Sequence, residues 1–145
     1  LKDSLSALRE IERNHRSALL AITKKSHLTI AEWQLLLFIL ADNTTQEQLA
    51  QATSLDTSTL SRQLKNLVTK EMLHKTPTGR DKRQLIYSIT ELGTVSVNQI
   101  NEDYHHLAQQ IFDRWTDEEQ NLLQILLNRL DKSIARIESH NHHLK

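Results

Sequence analysis

A chain of 145 residues, 38% of them apolar, is long enough for a single domain with its own core, and 18 Lys/Arg against 18 Asp/Glu leave it without net charge. The lack of cysteine excludes disulfides, Cys-ligated zinc and thiol redox chemistry. No run approaches the ~18 uncharged apolar residues of a bilayer-spanning helix, and no basic stretch followed by an apolar block suggests a secretory signal, so the cytoplasm is the expected compartment.

Two glycines and one proline predict a mainly helical chain with few sharp loops. The first helix is expected over 3–25, with Leu5, Leu8, Ile11, Leu19 and Ile22 along one stripe. Thr29-Ile30-Ala31-Glu32 reads as a capping box, in which hydroxyl and carboxylate each close an open backbone amide. The helix it opens, to about Ala41, is apolar nearly all round and belongs at the buried centre. Thr45-Gln46-Glu47-Gln48 is a second capping box and starts a short helix to Ala52. Thr53, Ser54 and Leu55 make a turn, and Asp56 caps a further helix over 56–68.

That further helix carries the chemistry. Leu60, Leu64, Leu67 and Val68 occupy one face, while Thr57, Ser58, Ser61, Arg62 and Lys65 fall on the rest. Short hydroxyls and long cations suit base edges and phosphates, the arrangement of a helix-turn-helix recognition helix, and make duplex DNA the first partner to consider. Strands are expected over 73–76 and 84–89, joined by Pro77-Thr78-Gly79-Arg80-Asp81-Lys82-Arg83, a turn-forming loop with three cations that reads as a wing. Charge is divided accordingly. Residues 56–83 hold seven Lys/Arg and three acids, a surplus of +4, balanced by five cations and nine acids after residue 84.

Thr90 caps a long helix with Val97, Ile100, Tyr104, Leu107 and Ile111 on one side. Thr116-Asp117-Glu118-Glu119 is a third capping box, and the helix beyond it has a stripe of Leu123, Leu126, Leu127, Leu130, Ile134 and Ile137 before a histidine-rich tail after Glu138. The expected architecture is mainly α with a small β wing: one chain over 1–145, a winged helix-turn-helix lobe over 29–90, and flanking helices over 1–27 and 91–140. Those flanking helices carry more apolar surface than one copy can bury. A two-fold homodimer would cover it and set two recognition helices about one DNA turn apart, roughly 34–36 Å, to match a palindromic operator.

The chain resembles the multiple-antibiotic-resistance regulator (MarR) family of bacterial transcription factors. The resemblance runs through Leu28-Thr29, Trp33-Gln34-Leu35-Leu36, Thr45-Gln46-Glu47-Gln48-Leu49-Ala50, Leu55-Asp56-Thr57-Ser58-Thr59-Leu60-Ser61-Arg62, Asp81-Lys82-Arg83-Gln84, Thr90-Glu91-Leu92-Gly93 and Trp115-Thr116-Asp117-Glu118-Glu119. It implies a dimeric repressor whose DNA affinity falls when a small ligand binds. It also implies DNA contacts for Thr57, Ser58, Thr59, Ser61, Arg62 and Lys65. The wing arginine of the family matches Arg83, with Arg80 and Lys82 as further contacts and Asp81 orienting a nearby arginine. Arginine suits a narrow minor groove because of its negative potential. Ser54 stands where the family usually has glycine in the turn. For an aromatic or phenolic effector, His15, Arg16, Leu19, Trp33, Leu37 and Leu107 are the candidate lining: an apolar wall with a few polar groups.

Eight histidines raise a metal reading. Adjacent His105 and His106 point about 100° apart, whereas a helical ligand pair needs i,i+4 spacing. Glu102 with His106, and Glu12 with His15, share faces. A zinc-sensing relative therefore stands as one alternative, and a winged helix that docks proteins instead of DNA as another. No metal ligand set or cofactor is assigned. Nothing resembles a phosphate loop, a nucleophile elbow or an HExxH motif, so no enzyme is expected.

Overall fold

The computed structural model describes residues 1–78 and 84–143. Two compact units divide the chain, Leu1–His105 and His106–Lys145. The elements are α1 (Ser4–Lys25), α2 (Ile30–Leu40), α3 (Gln46–Thr53), α4 (Thr57–Thr69), β1 (Leu73–Thr78), β2 (Gln84–Ile89), α5 (Glu91–Ile111) and α6 (Asp117–His143). The helix starts follow local chemistry. Asp3 caps α1 through the Ser6 amide, and both reciprocal bonds of the capping box form at Thr29/Glu32 and at Thr45/Gln48.

In the first unit the core lies between α2, α4 and the hairpin. Leu35, Leu36, Leu49, Leu60, Leu64, Leu67 and Ile100 are almost completely buried. Each such leucine contributes on the order of 1.5–3 kcal/mol relative to exposure. The apolar stripe of α1 divides: Leu19 and Ile22 are buried, whereas Leu5 and Ile11 are exposed. Near the start of α5, a Cβ on Gly93 would lie 2.5 Å from the Met72 carbonyl oxygen and 2.6 Å from Ile89 Cγ1. Only glycine lets that helix approach the base of the hairpin so closely.

The hairpin is antiparallel, with Leu73 opposite Ile89 and Thr78 opposite Gln84. β1 runs two residues further than expected, through Pro77 and Thr78. It has a single neighbour in the sheet, and proline is tolerated in such an edge strand because one row of amides has no ladder partner. The other edge of β2 is tied to the α2–α3 connection. The Tyr87 amide donates to the Thr44 carbonyl at 2.8 Å, and Thr45 bridges to Ile86.

Within the second unit, the capping box at Thr116 and Glu119 forms in both directions, and α6 continues through the stretch expected to be a tail. Phe112 and Trp115 meet edge to face, ring centroids 5.0 Å apart. Leu122, Ile125, Leu126, Leu127, Ile134 and Ile137 of α6 are exposed. No helix among the described residues is long and apolar enough to cross a membrane.

The first four helices end alike. His27, Asp42, Ser54 and Glu71 are left-handed, with φ of 59°, 71°, 58° and 63°. After three of them the next amide reaches back to close the last turn: Leu28 to the Thr23 carbonyl, Asn43 to Phe38, and Met72 to Leu67. Glycine normally takes such positions, and here L-residues carry the steric cost. Ser54→Gly should therefore raise unfolding stability by about 0.5–1 kcal/mol, as relief of the left-handed strain outweighs the extra chain entropy of glycine. A higher urea midpoint at unchanged slope would register it.

Candidate nucleic-acid interface

The candidate interface is built on α4. Leu60, Leu64 and Leu67 are buried, and this fixes which face of the helix points outward. Ser58, Ser61, Arg62 and Lys65 are all exposed on an arc spanning roughly 100° opposite that core, with Thr57 exposed at the first turn. Thr59 is only half-exposed and, with Gln63, occupies the flank between this arc and the buried face.

The N-terminus of α4 is held by Asp56, whose Oδ1 accepts from the Thr59 amide at 2.7 Å and from the Ser58 hydroxyl at 3.2 Å. The Thr59 amide chiefly, then the Thr59 and Ser58 hydroxyls and the charge of Arg62, hold this carboxyl below the usual carboxylate range. Ser54 supplies the left-handed residue of the α3–α4 turn, at the position where the resemblance leads one to expect glycine. The Gln46 side-chain amide donates to the Ser61 hydroxyl at 2.6 Å, fixing the orientation of a candidate base-reading group from the preceding helix. The sequence alone did not single out Gln46, whose position inside a capping box hides a second role.

Lys70 departs from the charge count. Its Nζ donates to Glu32 Oε1 at 2.7 Å and to the His27 carbonyl at 2.8 Å, so this cation is engaged within the fold and not presented with Arg62 and Lys65. Lys75 is exposed on β1. The candidate wing residues Arg80, Asp81, Lys82 and Arg83 lie outside the described residues.

The candidate effector residues are only partly assembled. His15 Nε2 and the Tyr104 hydroxyl are hydrogen-bonded at 2.6 Å, and the rings meet edge to face. Trp33 lies with its ring centroid 6.4 Å from that of Tyr104, and its Nε1 is buried without a hydrogen-bond partner among the described residues. Tyr104 thus joins this group, although its sequence position suggested only a packing stripe. Leu19 is buried and Arg16 is exposed. Leu37 faces a different groove, toward α3, and Leu107 belongs to the second unit. Among the described residues, no group of three or more His, Cys, Asp or Glu is placed to hold a metal ion.

A short helix, a tight turn and a capped amphipathic helix leading into a two-stranded hairpin define a winged helix-turn-helix. Residues 27–84 match the model of the MarR family, and this segment is therefore similar to the members of that family. The chain is 30% identical over 87 residues to "Uncharacterized HTH-type transcriptional regulator YxaD" of Bacillus subtilis (strain 168). That match covers 60% of this chain and 61% of the relative, so the chain spans about three-fifths of the curated relative's length. In overall fold it is similar to a mutant of S. aureus MepR, with TM-score 0.79, 19% identity and coverage of 92% of this chain and 99% of that one. It is also similar to a cysteine-to-serine mutant of MarR from E. coli complexed with operator DNA, with TM-score 0.70, 23% identity and coverage of 86% and 91%. The family is one of transcriptional regulators rather than enzymes.

Because the folded-state pKa of Asp56 is depressed, its contribution to stability is fully present above the unfolded carboxyl pKa of about 3.9 and is lost as pH falls through the lower folded value. Asp56→Asn keeps a capping oxygen without the titrating charge. Its urea midpoint should therefore fall less than that of the unaltered protein between pH 5 and pH 2.5, and an equal fall would deny Asp56 this role.

Proposed function

We propose that this chain is a sequence-specific DNA-binding transcriptional regulator that acts as a homodimer on a palindromic operator, and that it works as a repressor released by a small aromatic or phenolic effector. One observation carries the reading. The exposed face of α4 gathers Ser58, Ser61, Arg62 and Lys65 opposite a leucine face that is buried at every position, so the helix is held rigidly with its polar side outward. The family match over this same segment supports it.

In this mechanism α4 enters the major groove. Lys65 and exposed amides take phosphates and set register, while Thr57, Ser58, Thr59, Ser61 and Arg62 discriminate bases. Arg83 enters the adjacent minor groove, flanked by Arg80 and Lys82, with Asp81 orienting the wing. The exposed apolar residues of α1 and α6 supply the surface a second copy buries. An effector held near His15, Trp33 and Tyr104 favours a dimer with the wrong recognition-helix spacing. A tenfold loss of DNA affinity requires only ~1.4 kcal/mol of differential ligand binding between the two states.

Selection from a pool of randomised duplexes tests the reading. An inverted repeat with half-sites about 10 base pairs apart should be enriched, and a pool that stays random sinks the proposal. On the selected site, Arg83→Ala should weaken binding at least tenfold at matched salt with an unchanged circular dichroism spectrum; unchanged affinity would retire the wing arginine. Lys65→Ala should weaken specific and random duplexes alike, reducing the slope of log K against log salt by ~1 for every phosphate that a subunit no longer neutralises. A loss confined to the specific site would instead make Lys65 a base-reading group.

A further inference from the structure

A groove of about 620 Å³ opens behind α4, away from its exposed arc and separate from the His15–Tyr104 pair. Ala31 and Phe38 of α2 and Ala41 just after it form one wall, Ala52 and Leu55 the end, and Gln63 of α4 the far side. Its volume falls within the range of small-molecule sites. No charged side chain lines it. Gln34 is exposed to solvent, and the Thr53 hydroxyl is already spent on the Leu49 carbonyl at 2.7 Å. Gln63 differs. Its Oε1 is buried and has no hydrogen-bond partner among the described residues.

A desolvated carbonyl oxygen without a donor is an uncommon feature of folded proteins, because burial removes water without returning a bond. Its residue, Gln63, borders a groove whose other walls, apart from Gln34 and Thr53, are methyl groups, leucines and a phenyl ring. We propose that this groove binds a neutral, largely apolar small molecule that carries one hydrogen-bond donor, received by Gln63 Oε1. The terminal amide torsion of glutamine is soft, so a small rotation turns the oxygen from the helix flank toward a ligand. The uncharged lining excludes carboxylates, which would lose hydration without gaining a cation. The site borders both the recognition helix and the turn before it, so occupancy bears directly on the placement of α4.

Indole and benzofuran isolate the donor, since they share a shape and only indole has an N–H. Each is titrated into the ¹⁵N-labelled full chain and followed by amide chemical shifts, with no DNA present, so the result stands apart from the DNA-binding reading. Indole should shift amides over 31–41 and 52–55 and the Gln63 side-chain amide, and should bind about tenfold more tightly than benzofuran, as expected for one net hydrogen bond. Gln63→Leu should remove that preference, and Ala52→Leu, which narrows the groove while keeping the acceptor, should weaken both probes. No saturable shift with indole, equal affinity for the two probes, a preference that survives Gln63→Leu, or shifts confined to the surroundings of Trp33 and Tyr104 would each overturn the assignment.

Discussion

The lobe is organised around the carboxylate of Glu32. Its Oε1 accepts from the Thr29 amide at 2.9 Å, completing the start of α2, and from Lys70 Nζ at the end of α4. Lys70 in turn holds the His27 carbonyl where α1 turns into α2. One oxygen and one ammonium thus join three helix termini. The Glu32 side chain is only 3% exposed, so its charge depends on these partners for compensation. The leucines of α4 fix the rotation of that helix, and this node fixes where its C-terminus sits. Together they give the outward face of α4 a defined aim.

That arrangement changes the meaning of the local positive charge. The surplus over 56–83 suggests a single cationic patch, yet Lys70 is occupied internally, and Arg62 and Lys65 remain as the cations exposed on the helix itself. The short hydroxyls beside them are held in place, Ser61 by Gln46 and Ser58 by Asp56. A preorganised hydroxyl loses little rotamer freedom on contact, whereas a long cation supplies attraction over distance with less directional demand.

Much of this was legible in the sequence wherever the determining contacts are local. The three capping boxes join residues three apart, and the face of α4 follows from helical spacing, so each appeared where its residues predicted it. What escaped was non-local or steric. Lys70 meets a partner 38 positions earlier, and Gln46 meets one 15 positions later. The extension of β1 through Pro77 depends on that strand lying at an edge, which a string of residues does not display. Nor could spacing reveal that Gln63 Oε1 is left without a donor among the described residues, since that depends on how α2 and the α3–α4 turn close around it. The residues proposed to line an effector site illustrate the same limit: His15 and Trp33 converge on Tyr104, but Leu37, on the same helix as Trp33, faces another groove.

The attachment of β2 to Thr44 and Thr45 has a mechanical consequence. The connection that launches the short helix before the turn also grips the inner strand of the hairpin. Tilting one therefore drags the other, and the angle between α3 and the hairpin is not an independent degree of freedom. Inserting or deleting a residue between α2 and α3 would re-aim both elements together, while lengthening the distal end of the hairpin would alter reach alone. The hairpin thus has two separate handles, one for pitch and one for span.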